Sequence, residues 1–231
     1  MNGPGVFLKF IKVSKLNAYV FIALALGLGF WSCSSRPIKD KNTFVIATYD
    51  DVKDWDPATA FSLEVLPMSN MYEPLLWFDA STTPGKVLPG LATSYTKSND
   101  GLIWKFNLRE NVFFHDGKEF NAETVKFVVE RNKKLNGGAS YIWDPVEKIV
   151  INSSHEVTFF LSSPVPFDKI VSSQYGSWMY SPDIINIPSD SLLNGYGSGT
   201  GPYQLKKWVR NKHISLEKFD KYWRGWTTLN H

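Results

Sequence analysis

The sequence predicts a mixed α/β protein made of β-hairpins and isolated helices, and three patterns carry this prediction. Residues 103–109 alternate apolar and polar side chains behind an Asn-Asp-Gly turn, which is typical of one arm of a hairpin. A second hairpin is predicted where residues 148–152 and 157–161 flank a Ser-Ser-His-Glu connection. Between the hairpins, an apolar stripe at helical spacing follows Asn121. Because strands and helices do not alternate regularly, no βαβ architecture is expected.

The segment before the first hairpin predicts one strand and one short helix. Residues 43–48 form a β-branched, apolar run that is typical of a buried strand, and an acidic loop follows at 49–57. Residues 64–76 carry apolar side chains at helical spacing, interrupted by Pro67 and Pro74, so a short helix is expected to end near Tyr72. Residues 84–92 are rich in turn-forming residues.

The first hairpin is expected to pair residues 92–97 with 103–109. The alternation places Trp104, Phe106 and Leu108 on one face of the second arm. A further short strand is predicted at 112–114, after a turn.

The helix between the hairpins has recognisable ends. Asn121 is a good N-cap, and Glu123 lies in the first turn, where the helix dipole favours an acid. The helix is expected to end near the Asn-Gly-Gly sequence at 136–138. Its apolar stripe consists of Val125, Val128 and Val129.

The last third of the chain predicts one more hairpin. Residues 168–173 are expected to be helical, and the Pro- and Ser-rich residues 181–190 to form a loop. A glycine-rich loop at 197–201 then leads into a strand that ends near Trp208, and residues 213–219 alternate as its partner.

Composition limits the possible partners. Of the 231 residues, 43% are apolar, which is enough to bury a core. The formal charge of +3 comes from Lys9, Lys12 and Lys15, since residues 1–32 contain no acid. From Cys33 onward, 22 bases balance 22 acids, which argues against a nucleic-acid partner.

The amino terminus has the order of an export signal. Three lysines precede the short apolar run at 18–30, and Ser32 and Cys33 follow it. The single cysteine excludes a disulfide within the chain. This boundary resembles the lipobox of bacterial lipoproteins, in which the cysteine is acylated and becomes the mature amino terminus, although Phe30 and Trp31 depart from its pattern. We predict a signal peptide at 1–32, lipidation at Cys33, a lipidated tether at 33–42, and a periplasmic or cell-envelope location with a lipid anchor in a membrane. An uncleaved anchor and cleavage elsewhere are the alternatives.

No catalytic residue, metal or cofactor is predicted. His115 and Asp116 are neighbours on an Asp-Gly turn, and a triad needs groups from separate segments, so a scaffold turn is favoured over a hydrolase that uses His115. None of the histidines has a partner at zinc-ligand spacing. The four aspartates in the loop lack an EF-hand pattern, so a solvated loop is favoured over a calcium site. These are Asp50, Asp51, Asp54 and Asp56.

Motifs over residues 43–226 resemble the extracellular solute-binding proteins of peptide and nickel ABC transporters. Residues 92–127 follow the family's order of Leu-Ala-x-Ser-Trp, Asp-Gly, an aromatic alternating strand, Leu-Arg, Phe-His-Asp-Gly and a helix that opens with Ala-Glu-Asp-Val. Tyr95 stands where Trp is usual, and Thr124 where Asp is usual. Tyr-Glu-Pro-Leu at 72–75 is similar to another family motif. So are Gly-Thr-Gly-Pro-Tyr at 199–203 and Tyr-Trp-Arg-Gly at 222–225.

The resemblance implies a fold like that of periplasmic binding proteins (class II type), in which two lobes close on a ligand that prefers the closed state. Family members are about twice this length, so the resemblance implies a partial domain at 43–231: the first lobe and its inserted subdomain, with the second lobe missing. We assign residues 43–60 and 196–231 to the first lobe, and 61–195 to the inserted subdomain.

The implied function is the substrate-binding component of an ABC importer that delivers peptides, or another small solute, to permease subunits. The alternative is a truncated or structural lipoprotein that acts as a protein-interaction module. Six residues are predicted to face the ligand, on the loop after the first strand and at the lobe junction. They are Tyr49, Asp50, Trp55, Gly199, Thr200 and Tyr203.

Overall fold

The computed structural model describes residues 43–188, 191–192 and 194–226. The chain divides into two units, residues 1–47 and 48–231, and residues 43–47 are the described part of the first. The predicted strand at 43–48 is wrong. These residues have no regular secondary structure, and Phe44, Val45 and Ile46 are largely exposed. A strand needs a neighbour for its backbone hydrogen bonds, and no described strand pairs with this segment.

The described part of residues 48–226 includes three short sheets and three α-helices whose bounds are known. The helices are α1 (Val65–Met68), α2 (Ala122–Leu135) and α3 (Phe167–Ile170). The strands are β1 (Leu76–Asp79), β2 (Lys86–Pro89), β3 (Ala92–Lys97), β4 (Ile103–Leu108), β5 (Val146–Ser153), β6 (Glu156–Leu161), β7 (Tyr203–Val209) and β8 (His213–Lys218).

The central sheet confirms both predicted hairpins. Its antiparallel order is β3-β4-β6-β5, so each hairpin supplies two neighbouring strands. In β4, exposed and buried residues alternate, with Trp104, Phe106 and Leu108 buried as the sequence predicts. Val157 and Phe159 of β6 pair with Phe106 and Trp104, which extends the same apolar face.

Helix α2 forms as predicted and packs on β5 and β6. The Asn121 side chain accepts a hydrogen bond from Thr124 N at 3.0 Å, and the left-handed Asn136 ends the helix. The valines of the apolar stripe are fully buried.

Aromatic rings fill the space beside the central sheet. Phe167 of α3 contacts the rings of Trp104, Phe106 and Phe159, with centroids 5.0 to 6.1 Å apart. Trp143, which lies on a 3-10 turn, stacks on Phe159 and donates its Nε1–H to Gly176 O at 2.7 Å. The buried rings fix the position of the loops that follow α3.

Several local predictions need correction. The helix expected to end near Tyr72 is the single turn α1, because the chain continues in tighter three-residue turns, with Asn70 N bonded to Pro67 O and Met71 N to Met68 O. The turn-rich residues 84–92 include strand β2, which pairs with β1. Residues 112–114 form one isolated bridge, between Phe113 and Glu119, rather than a strand.

The end of the chain also differs from the prediction in detail. The loop expected at 181–190 contains a 3-10 helix at Pro182–Asn186, capped by Ser181. The final hairpin is confirmed, since β7 and β8 pair with a register shift between Leu205 and Lys207. Among the described residues, this hairpin is a two-stranded sheet of its own.

Replacing the N-cap of α2 should lower stability. In an Asn121→Ala variant, Thr124 N loses its acceptor, and we expect the free energy of unfolding to fall by about 1 kcal/mol. Urea unfolding followed by circular dichroism measures this change. A Lys126→Ala variant of the same helix is the control. Equal stability of the two variants would contradict the capping role.

Candidate functional site

The loop that starts at Tyr49 holds three of the predicted ligand-facing residues in different environments. Tyr49 is 90% exposed. Asp50 is also exposed, and hydrogen bonds from Asp51 N and the Lys53 ammonium lower the pKa of Asp50. Trp55 is 1% exposed and packs edge-on against Trp208, with ring centroids 5.6 Å apart. Trp55 therefore belongs to the core here, while ligand contact by Tyr49 and Asp50 stays a prediction.

The acidic loop is tied to the rest of the protein, so a fully solvated loop is the wrong description. Asp51 accepts hydrogen bonds from Trp208 Nε1 at 2.8 Å and from Asn211 N at 2.6 Å. Burial acts to raise the pKa of Asp51, but these hydrogen bonds outweigh it, so the pKa lies below its usual value. The carboxylate thereby holds the β7–β8 turn against the loop.

Asp56 makes the second tie through an ion pair with Arg131 of α2. Arg131 Nη1 and Nη2 lie 2.8 and 2.5 Å from the two carboxylate oxygens, and both side chains are 15% exposed. Arg131 also donates to Tyr180 OH, which donates in turn to Asn132 Oδ1 at 2.6 Å. This two-point geometry suits a guanidinium and a carboxylate that are removed from water.

The other predicted residues lie on the glycine-rich loop, which packs backbone to backbone against residues 70–71. Gly201 N donates to Met71 O at 2.9 Å, and Tyr203 N donates to Asn70 O at 3.0 Å. A Cβ atom on Gly199 would lie 2.0 Å from Met71 O, so this close approach requires glycine. Tyr203 is half-buried against Trp226, with centroids 5.3 Å apart.

Thr200 leads to a buried carboxylate that sequence reasoning missed. Glu73 is 1% exposed, and its Oε2 accepts from Thr200 Oγ1 at 3.0 Å and from Trp223 Nε1 at 2.7 Å. Its Oε1 accepts from Tyr222 OH at 2.9 Å, and Arg224 Nε lies 4.0 Å away. Burial raises the pKa of Glu73, and these hydrogen bonds oppose that shift. A single acid in the apolar run at 71–76 is the signal that could have identified it.

The three motifs at 72–75, 199–203 and 222–225 therefore meet at one carboxylate. Arg109, from the Leu-Arg motif, adds a fourth segment, because its guanidinium lies over the Trp223 ring at 4.3 Å. We call this arrangement of Glu73, Thr200, Tyr222, Trp223 and Arg109 the motif junction.

His115 holds the same glycine-rich loop from the other side. Gly199 N donates to Nδ1 at 3.3 Å, and Nε2 lies 3.0 Å from Gly201 O. A carbonyl oxygen only accepts hydrogen bonds, so the proton is assigned to Nε2. Because Nδ1 accepts from Gly199 N, it carries no proton and the ring is neutral. Burial lowers the pKa of His115, against the Gly201 hydrogen bond and the Asp116 charge. Both ring nitrogens form hydrogen bonds with backbone groups of the glycine-rich loop, and we call this contact the His115 clamp. It explains the His-Asp-Gly turn as part of the scaffold.

A depression of about 240 Å³ lies beside this clamp. Residues 195–198 line it together with His115, Asp116, Gln204 and Leu205. Tyr196 is 67% exposed at its wall and was not among the predicted site residues. Its position between two glycines is the signal that could have pointed to it.

The described residues contain no group of three or more His, Cys, Asp or Glu side chains that could hold a metal ion. In the same part of the chain, no helix is long and apolar enough to cross a membrane. The predicted signal peptide, the lipidation site Cys33 and the tether lie outside the described residues.

Comparison with solved structures identifies the fold as that of periplasmic binding proteins. NikZ from Campylobacter jejuni in complex with Ni(L-His) superposes with a TM-score of 0.70 at 26% identity, over 80% of this chain and 37% of that one. The DppA protein from Helicobacter pylori in complex with the peptide STSA gives a TM-score of 0.64 at 26% identity, over 75% and 38%. The predicted fold class is therefore confirmed.

The chain belongs to the bacterial extracellular solute-binding proteins, family 5, because the model of that family's middle region matches residues 86–230. The dipeptide-binding protein of Escherichia coli K12 is 28% identical over 87% of this chain and 42% of its own length. The nickel-binding protein NikA of Staphylococcus aureus is 31% identical over 64% and 28%. The chain spans about two fifths of the length of the curated relatives it matches. The family consists of periplasmic solute-binding proteins rather than enzymes.

The motif junction should be sensitive to loss of the Glu73 charge. In Glu73→Gln, the amide oxygen can keep the hydrogen bonds from Thr200 and Trp223, but the NH₂ group replaces the charged acceptor of the Tyr222 hydroxyl, so we expect a loss of roughly 1–3 kcal/mol in the free energy of unfolding. Chemical unfolding of this variant beside Glu147→Gln, an exposed site on β5, measures the effect. Equal stability of the two variants would contradict the proposal that Glu73 holds the motif junction together.

The His115 clamp should make stability depend on pH. The native pKa lies below the unfolded value of about 6.5, so the unfolded state binds the proton first. The stabilisation by His115 is complete above about pH 6.5 and decreases as the pH falls toward the native pKa. The stability gap between wild type and His115→Ala should therefore narrow from about pH 7.5 to about pH 5.5 in urea unfolding.

The exposed His213 provides the matched control for the clamp. His213→Ala removes an exposed imidazole and is unfolded in parallel over the same pH range, so that the His115→Ala difference is compared with that of another histidine. A His115→Ala gap that widens on acidification would mean that the protonated ring is the stabilising form, against the assigned tautomer.

Proposed function

We propose that this chain is part of the substrate-binding lipoprotein of an ABC importer, which captures peptides outside the cytoplasmic membrane and delivers them to permease subunits. The observation that carries the proposal is the family match over residues 86–230, whose separate motifs the structure joins at Glu73. That junction is a scaffold rather than a reaction centre, which suits a protein that binds and releases its cargo unchanged.

Peptide is the proposed cargo class for two reasons. The similarity to a dipeptide-binding protein extends over most of the chain, and the DppA structure holds a peptide. The exposed Tyr49 and Asp50 supply a ring surface and a carboxylate that is charged at neutral pH. Such a pair can receive a peptide's amino terminus and a neighbouring side chain. Gly199, Thr200 and Tyr203 contribute by shaping the loop at the lobe junction.

The membrane anchor is proposed to be the acylated Cys33. A cell-envelope location then follows from the signal peptide at 1–32 and the tether at 33–42, and no nucleic acid is expected as a partner.

Metabolic labelling with palmitate tests the anchor. Cys33→Ala should abolish labelling and move the protein from the membrane to the soluble fraction, because a thiol is required for acylation. The control Ser35→Ala should keep the label. Membrane retention of Cys33→Ala without label would indicate an uncleaved amino-terminal segment in place of a lipoprotein.

Calorimetry on the native protein, extracted from membranes of the source cells, tests the cargo. Saturable binding of short peptides is expected, and Tyr49→Ala and Asp50→Asn should each weaken it by about tenfold, the cost of one hydrogen bond to a charged group or one ring contact. The exposed Tyr141→Ala and Asp144→Asn serve as controls. Binding of nickel or glutathione alone would change the cargo class. A stable fold that binds none of these solutes would favour the interaction-module alternative.

A further inference from the structure

The β7–β8 hairpin carries a concentrated positive charge that the balanced composition hides. Residues 203–218 contain five Lys or Arg and one Glu, a net charge of +4. Residues 48–231 contain 19 bases and 21 acids, a net charge of −2, so the rest of this unit carries −6. The unit is therefore electrically polar, with its positive end on one hairpin.

The pairing register directs the charges outward. Leu205 and Trp208 of β7 pair with Leu216 and Ile214 of β8, and these four side chains pack against the core. On the strand face opposite to them, Lys207 pairs with Ser215 and Val209 with His213. We call the turn at 210–212, together with Lys207 and His213, the tip of the hairpin. Lys207, Arg210, Lys212 and His213 are all exposed.

Of the hairpin's cations, Lys207 and Lys212 at the tip remain available, whereas the charge of Arg210 also helps to lower the pKa of Asp51. Lys206 and Lys218 are each 3.2 Å from a carboxylate, of Glu217 and Asp220 respectively. By contrast, neither Lys207 nor Lys212 forms an ion pair with any carboxylate in the described part of the chain. The Arg210 guanidinium lies over the Trp208 ring at 4.6 Å.

The tip is also held in place. The Asp51 carboxylate receives Asn211 N and Trp208 Nε1 beneath the turn, so the hairpin presents its cations from a fixed base. Long cationic side chains on a turn suit a diffuse layer of negative charge, because they can adjust to it without a defined pocket.

We infer that the tip formed by Lys207, Arg210, Lys212 and His213 docks on anionic phospholipid headgroups of the membrane that holds the protein. This inference rests on the proposed lipid anchor at Cys33, which keeps the folded unit near the membrane. From Cys33 to Thr48 the chain extends at most about 50 Å, so an anchored domain stays within collision distance of the lipid surface. The charge of −6 on the rest of the unit is repelled by the same surface, which favours one orientation.

Three Lys or Arg near an anionic surface favour the docked orientation by roughly a hundredfold at physiological salt. This orientation places the hairpin toward the bilayer and leaves the negatively charged remainder facing away. An acidic protein face is the competing partner, and the experiment separates it from lipid.

The test uses the acylated full chain with Ser215→Cys, a position beside the tip, labelled with a fluorophore and reconstituted in vesicles. Vesicles of phosphatidylcholine alone are compared with vesicles that also contain phosphatidylglycerol. The readout is quenching of the label by acrylamide, a neutral quencher. Phosphatidylglycerol should reduce the quenching constant by about half or more, and about 1 M salt should restore it.

The same measurement on the triple variant Lys207→Gln, Arg210→Gln, Lys212→Gln should show no effect of phosphatidylglycerol. The control triple variant Lys86→Gln, Lys97→Gln, Lys134→Gln removes equal charge from other exposed positions and should behave as wild type. Equal quenching in both vesicle types, or protection that survives the hairpin triple variant, overturns the inference. Loss of transport in the hairpin variant without any change in quenching also overturns it and assigns the tip to the permease.

Acylation is read separately, from the intact mass of the same sample, since an unmodified Cys33 would take up a second label. A failure of the anchor is thus distinguishable from a failure of docking. A chain without acylation is added to the same vesicles at high lipid concentration, which replaces the proximity that the anchor provides; lipid-dependent protection then supports docking, and its absence overturns it.

Discussion

A buried carboxylate is the constraint around which the final third of the chain is organised. Removing Glu73 from water is costly unless hydrogen bonds replace its hydration, and the required donors come from Thr200, Tyr222 and Trp223. These donors lie more than 120 residues away in sequence. A partly assembled junction would leave a buried charge unsatisfied, so its contacts are expected to form together. The junction explains why short motifs so far apart in the sequence share one structural purpose.

The His115 clamp works on the same loop by a different physical rule. Glu73 is stabilised by donors, whereas His115 must remain neutral to receive Gly199 N on one nitrogen and donate to Gly201 O on the other. The loop at 199–203 is held between the two, and strand β7 starts from it. The direction of the β7–β8 hairpin is therefore set at two points near its origin and, through Asp51, at a third point near its tip.

The sequence was sufficient wherever the deciding interactions are local. Both hairpins of the central sheet and the Asn121-capped helix follow from turn chemistry and from periodicity within a few residues. The prediction failed at residues 43–48, because an apolar β-branched run specifies a strand only when a partner strand is present. Composition cannot distinguish a stacking ring from a core ring, so the sequence predicts Trp55 at the ligand while the structure buries it. Glu73 was missed because its hydrogen-bond donors are distant in sequence. The motifs indicate the family, but they do not show that their side chains meet at one carboxylate.

The distribution of charge over the surface is another property that the sequence alone does not predict. A balance of 22 bases and 22 acids from Cys33 onward excludes a uniformly basic face, but a sum over residues contains no positions. The register between Leu205 and Val209 turns Leu205 and Trp208 inward and leaves Lys207 outside, so folding separates charges that the composition mixes. Ion pairs at Lys206 and Lys218 then neutralise the base of the hairpin and leave the tip positive. The electrostatic character of this protein is thus a property of strand register, and a one-residue slip of β7 would bury the tip lysine and expose Trp208.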